Sequence, residues 1–163
     1  MFHRILLAVD DSPASEVATA FATAFAHSSG ASVHVVYINE RMVGGQGLTL
    51  DTRPEATELV ARAVRQLTEG GVRASGSSSV ASHRQVPARL ADEARARQVD
   101  AIVLGSHRPR SLGRLFSPKV RQRVTRLTSL PVLTAPSPLK VTSMQRADAL
   151  EPQFDQALTK LSR

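Results

Sequence analysis

Short apolar runs alternate along the chain with stretches whose apolar residues recur every three to four positions. Ile5-Leu6-Leu7-Ala8-Val9 is an unbroken apolar run, the pattern of a strand buried on both faces. Ser12 and Pro13 suit the N-cap and first position of a helix, and Val17, Phe21, Ala24, Phe25 and Ser28 follow at helical spacing until Gly30. Residues 32–38 (Ser-Val-His-Val-Val-Tyr-Ile) predict a second strand, and the glycines within 39–53 predict a loop. Ala56, Leu59, Val60, Ala63 and Leu67 mark the inner face of a second helix, closed by Gly70-Gly71. Residues 72–81 predict a weak strand whose serines and Gly76 suit a sheet edge. Pro87 opens a helix reaching about Gln98, and 101–104 is a buried strand. Ser117-Pro118 starts a last helix with Val120, Val124 and Leu127 inward, and 131–135 is a final strand.

This is strand–helix repeated four times, then a strand. Such alternation predicts right-handed crossovers and a single parallel sheet with helices on both faces. Pro136 and Pro138 end the unit, giving a domain over 1–136 and an appendage over 137–163. Within the appendage, Leu150, Phe154, Leu158 and Leu161 fit one side of a short helix with Pro152 in its first turn.

Composition changes the picture in three ways. The 163 residues are 42% hydrophobic, enough for one domain with a proper core, and no apolar run approaches a membrane span. The apolar run near the N-terminus is cut by Asp10-Asp11 and lacks a cleavage site, which argues against a signal peptide. No cysteine is present, which removes disulfides, thiol catalysis and thiolate metal sites, and a reducing cytoplasm is the expected compartment. The net charge of +7 is local: between Asp100 and Asp148 there are nine basic residues and no acidic one. That field favours an anionic partner, be it a nucleotide, a nucleic acid or an acidic protein surface. Arginine outnumbers lysine 18 to 3 throughout, so a merely solvated basic helix face is an equal contender.

The sharpest candidate site is the segment from Gly105 to Val120. It leaves a buried strand, crosses a basic loop and opens a helix, where free backbone N–H groups and the helix dipole converge on an anion. Other chemistries lack their residues. His3, His27, His34, His83 and His107 form no pair at metal-ligand spacing. There is no Gly-x-Ser-x-Gly elbow and no Walker loop. Enzymes that adenylate their substrates carry a Ser-Gly-Gly-x-Asp-Ser loop after the first strand, and here Asp10-Asp11-Ser12-Pro13 stands in its place. Five Phe, one Tyr and no Trp give little to stack on bases, and no nucleic-acid motif is present, so nucleic acid is disfavoured.

The chain resembles the universal stress protein family. The resemblance covers residues 2–136 and rests on Ile5 to Ser12, Val35 to Glu40, Val99 to His107, Val120 to Val124, and Leu130-Pro131-Val132-Leu133. It implies a five-stranded parallel α/β sandwich of the adenine nucleotide alpha hydrolase-like, Rossmann-like kind, a homodimer in which the last strand (Val132, Leu133) pairs across the interface, and a role in stress survival without catalysis. ATP-binding members carry glycine, two residues, glycine, nine residues, glycine, then serine or threonine. Laid on this chain those positions are Gly105, Arg108, Pro118 and Lys119, so only the first matches. Arg108 brings a Cβ and a long side chain where close approach is needed, Pro118 has no N–H to offer, and Lys119 cannot replace a hydroxyl. Arg108 and Lys119 are nevertheless cations able to grip phosphate. Asp10 matches the acid that holds the nucleoside in the family, and Tyr37 lies near the position that meets adenine. The expectation is therefore an interaction module for an unidentified protein partner, without typical ATP binding. The alternative is an ATP- or AMP-type ligand held by Asp10, Tyr37, Gly105, Ser106, His107, Arg108, Lys119 and Val120. In either case His107 is expected to position its loop.

Overall fold

The computed structural model describes residues 2–41, 52–106 and 117–136. Five strands, β1 (Arg4–Val9), β2 (Ser32–Arg41), β3 (Ala74–Ser82), β4 (Ala101–Leu104) and β5 (Val132–Thr134), form one parallel sheet in the order β3-β2-β1-β4-β5. The helices are α1 (Pro13–Ser29), α2 (Arg53–Glu69), α3 (Val86–Ala96), preceded by a 3-10 turn at His83–Gln85, and α4 (Pro118–Leu127). α1 packs with α2 and α3 with α4, one pair on each face, as right-handed crossovers require. The strand order reverses between β1 and β4, and the crevice at their C-terminal ends is where such sheets hold ligands. None of the described helices is long and apolar enough to cross a membrane.

β1 is the middle strand, and Ile5, Leu6, Leu7, Ala8 and Val9 are all buried, as an apolar run between two helix layers must be. α2 buries the five residues its periodicity marks. Gly30, at φ 68°, ends α1 in the left-handed region. β3 is an edge, as its serines and Gly76 predict.

Three expectations need correction. α1 does not bury Ala24 or Ser28, which are exposed, and Val17, Phe21 and Phe25 are only half-buried. Its inner face is the small-residue stripe Ala14, Ala18, Ala22 and Ala26, which lets the helix lie close on the sheet. The phenyl groups flank that contact, with Phe25 5.1 Å from Phe2 and 6.2 Å from Phe21 between ring centroids. Leu127 is 46% exposed rather than inward, because it is the last residue of α4, beyond the turn that Val120 and Val124 anchor. β2 runs on through Asn39, Glu40 and Arg41 instead of yielding to a loop, because β3 continues to pair with it as far as Arg41↔Ser82.

Candidate functional site

The C-terminal ends of β1 and β4 carry the first two site residues. Leu7 pairs with Val103, and continuing that register brings Asp10, just past β1, level with Ser106, just past β4. Asp10 is buried at 7% exposure. One carboxylate oxygen, Oδ1, accepts from the Ser12 hydroxyl and, at 2.9 Å, from the Ser15 hydroxyl, while the Asp10 N–H donates to Ser15 Oγ at 2.7 Å. Ser12 is thus the N-cap residue of α1, yet its hydroxyl serves Asp10 rather than the helix. The other oxygen, Oδ2, is buried and has no hydrogen-bond partner among the described residues. A cleft of about 260 Å³ opens beside it between α1 and α2, bordered by Asp10, Ser12, Thr19, Leu59 and Arg62.

Burial pushes the Asp10 carboxyl above its ordinary value. The Ser12 and Ser15 hydroxyls pull it back, and the charges of Asp11 and Glu40 raise it further. A raised value in the fold means that ionisation is easier in the unfolded chain. The contribution of Asp10 to stability is therefore fully present below the unfolded-chain value near 3.8 and is lost as pH rises through the folded value. Asp10→Asn is expected to flatten that part of the stability–pH curve and to add about 0.5–2 kcal/mol at neutral pH. Urea unfolding from acid to neutral pH measures it. A variant less stable than the parent at neutral pH would mean that the carboxylate is held by a favourable partner.

Gly105 is buried, and Ser106 Oγ donates to the Pro136 carbonyl at 3.2 Å, tying the end of β4 to the segment after β5. At the start of α4, Ser117 is the N-cap, and its hydroxyl accepts the Val120 N–H at 3.2 Å. The Arg121 N–H goes to the Ser117 carbonyl. Pro118 has no N–H, so the first turn leaves Lys119 as its only residue with a backbone N–H unclaimed by the described residues. The Lys119 side chain is exposed, and Val120 is buried in the core. Tyr37, level with Val9 and Ser78, is 4% exposed and packs in the core. His107 and Arg108 lie outside the described residues, as does the whole appendage from 137.

A scan against protein-family models matches residues 1–136 to the universal stress protein family. The chain belongs to that family. Among solved structures, a universal stress protein family member from Burkholderia pseudomallei superposes with TM-score 0.64 at 26% identity, covering 82% of this chain and 96% of that one. A universal stress protein from Archaeoglobus fulgidus gives TM-score 0.65 at 25% identity, covering 83% and 95%. A complex of an A. fulgidus universal stress protein with dAMP gives 0.63 at 25%, covering 82% and 98%. A search of curated proteins returned no match.

Sequence reasoning missed the groups that set the state of Asp10. Ser12 and Ser15 bond to it directly, and Glu40, buried at the end of β2, acts on it through charge. Glu40 Oε2 lies 3.0 Å from His83 Nδ1. A signal for the serines existed, since hydroxyls two and five residues past a strand-end acid can both turn back to it. The Glu40–His83 pair depends on β2 outrunning its apolar segment, which periodicity does not register. Among the described residues, no cluster of three or more His, Asp or Glu could hold a metal ion.

Proposed function

We propose that this universal stress protein is a non-catalytic stress-response module of the cytoplasm, working as a homodimer through protein contacts, and that its crevice does not hold ATP in the manner typical of the family. The observation carrying this reading is the first turn of α4. Ser117 consumes the Val120 N–H and Pro118 supplies none, so the turn that would cradle phosphate offers little backbone to it. The same helix exposes Lys119, Arg123 and Arg126, none of which makes an ion pair among the described residues, so the partner is a protein with an acidic surface. β5 is an edge strand with Val132 and Leu133 half-buried, suited to pairing with a second copy. Residues 137–163 are left as an appendage outside the 1–136 unit.

One observation favours a second reading. Asp10 Oδ2 is a buried acceptor with no partner among the described residues, and a ribose hydroxyl would satisfy it. The nucleoside half of an AMP-type ligand therefore fits the residues present, and the backbone phosphate half does not. In this reading the side chains of Arg108 and Lys119 take the phosphate, and a nucleoside monophosphate ligand has its parallel in the A. fulgidus protein in complex with dAMP.

Mass spectrometry of small molecules released on denaturation, followed by titration of ATP and AMP into the emptied protein, separates the two. An empty protein with no binding up to millimolar nucleotide is the expected result, and stoichiometric adenine nucleotide would sink the first reading. The triple variant Arg108→Gly, Pro118→Gly, Lys119→Ser is expected to gain about tenfold or more in ATP affinity, since charge-assisted and backbone bonds to phosphate each contribute on that scale. A fall in affinity would mean that the cations hold the ligand. A monomer in sedimentation at high micromolar concentration would refute the dimer.

A further inference from the structure

We infer that the arginine-lined pocket at the N-terminal edge of the sheet, opposite the crevice, is a second anion site that takes the phosphate chain of a small oligophosphate. The pocket is about 370 Å³ and is lined by Arg4, Ser32, His34, Arg73, Ser75 and Arg97 among others. Parallel pairing assembles it. Arg4 pairs with Ser32, and Val33 with Ala74, so Ser32 and Arg73 fall in the same row one step earlier. Strands about 4.8 Å apart place the Arg4 and Arg73 Cα atoms about 10 Å apart, with a serine between them. Side chains in one row of a parallel sheet point to one face, and two residues on they do so again. The next row on that face is Leu6, His34 and Ser75. Arg97, the C-cap residue of α3, joins the pocket from the helix layer.

The charges here are poorly matched within the protein. Arg4 and Arg73 make no ion pair among the described residues. Arg97 reaches Glu93 only at 3.8 Å, and Glu93 is shared with Arg89 at the same distance. Asp100, the other acid at this edge, accepts the backbone N–H groups of His3 at 2.5 Å and Arg4 at 2.8 Å, and its charge attracts Arg4 only as a smaller effect beside those bonds. Three guanidinium groups around one concavity therefore repel one another, and a bound anion relieves that cost. Guanidinium forks match phosphate oxygens in pairs, which makes phosphate the favoured anion. The volume is at the low end for small-ligand sites, which fits a short phosphate chain. Among the described residues His34 is the only ring in the lining, and both its nitrogens are engaged, Nδ1 at 2.8 Å from Ser75 Oγ and Nε2 at 2.9 Å from Ser77 Oγ. A nucleic-acid base has no open face to stack on, so nucleic acid is the poorer occupant.

His34 also provides a reporter. Its imidazolium is disfavoured first by burial and then by Arg97, with Glu93 opposing. Arg4 from β1 and Arg73 before β3 flank it in the pocket. An anion seated among these arginines would offset them and raise the His34 titration midpoint.

The test is calorimetric titration of the full chain with tripolyphosphate, with the His34 ring followed by NMR. Saturable binding is expected, weakened about tenfold in Arg73→Gln and again in Arg97→Gln, and by less than about twofold in Arg84→Gln at the opposite edge. All three side chains are exposed, so the variants should fold, which circular dichroism checks. The His34 midpoint should rise on binding. Undiminished affinity in Arg73→Gln and Arg97→Gln, an unmoved His34 midpoint, or affinity lost only when Lys119 is replaced would overturn the site. Duplex DNA that displaces tripolyphosphate from it, and binds more tightly, would overturn the ligand class.

Discussion

Leu104→Ala is expected to lower the unfolding free energy by about 2–5 kcal/mol, the range for removing a fully enclosed leucine. Leu104 is 0% exposed and ends β4 directly before Gly105. Its carbonyl also accepts the Ala135 N–H at 2.8 Å, so the residue fixes both the floor of the crevice and the segment after β5. The cavity left by truncation would sit beneath the candidate site, where the neighbouring strands have little room to collapse into it. Leu127→Ala is the matched control. That leucine is 46% exposed at the end of α4, and the same truncation should change stability by less than about 0.5 kcal/mol. Urea midpoints of the two variants decide the matter. Equal losses would mean that α4 packs with a different face inward.

Gly76→Ala is expected to cost about 1–3 kcal/mol although it adds a single methyl group. Gly76 lies on β3 where α2 crosses it. A Cβ there would overlap Val60 Cγ1, press on Val64 Cγ2 at 3.1 Å and touch Val35 Cβ at 3.4 Å. Valine side chains are stiff at χ1, so relief has to come from α2 moving away from the sheet. The alternative outcome is also informative. Alanine restricts the unfolded chain more than glycine does, and a gain of about 0.4–1 kcal/mol would mean that α2 has slack. Thermal unfolding of parent and variant distinguishes the two, and a Val60→Ala, Gly76→Ala double variant should recover part of the loss if the clash is the cause.

The elements themselves were plain in the sequence because each has a period. Buried strands such as β1 and β4 read as unbroken apolar runs, and α2 shows its inner face as an apolar stripe. In α1 the apolar pattern misleads because alanine contributes little to it, so Phe21 and Phe25 draw the predicted face toward themselves. The evenly spaced run Ala14, Ala18, Ala22, Ala26 was the better guide, since only small residues allow a helix so near a sheet. In the candidate site, Asp10, Gly105, Pro118 and Lys119 were legible because strand ends and helix starts fix where they fall. The Ser117 hydroxyl turning onto Val120 follows from the same local logic. The arginine pocket was not legible at all. Arg4, Arg73 and Arg97 are far apart in the chain, and only the register of three parallel strands, with the return from α3, sets them around one space.

The position of β1 has a consequence for biosynthesis. Of the five sheet strands it is the first to leave the ribosome and it carries an unbroken run of five apolar residues, yet it ends in the middle of the sheet with β4 on one side. The pairing Ile5↔Ala101 spans 96 residues. At about 5–20 residues per second, one flank of β1 stays open for about 5–20 s after β1 is made. During that time β2 and α1 can cover only part of it, and the bare flank is a template for pairing with another nascent chain. Newly made copies on neighbouring ribosomes are therefore at greatest hazard before residue 101 emerges. A slow codon stretch placed upstream of β4 should raise aggregation, whereas the same stretch placed after β5 should not.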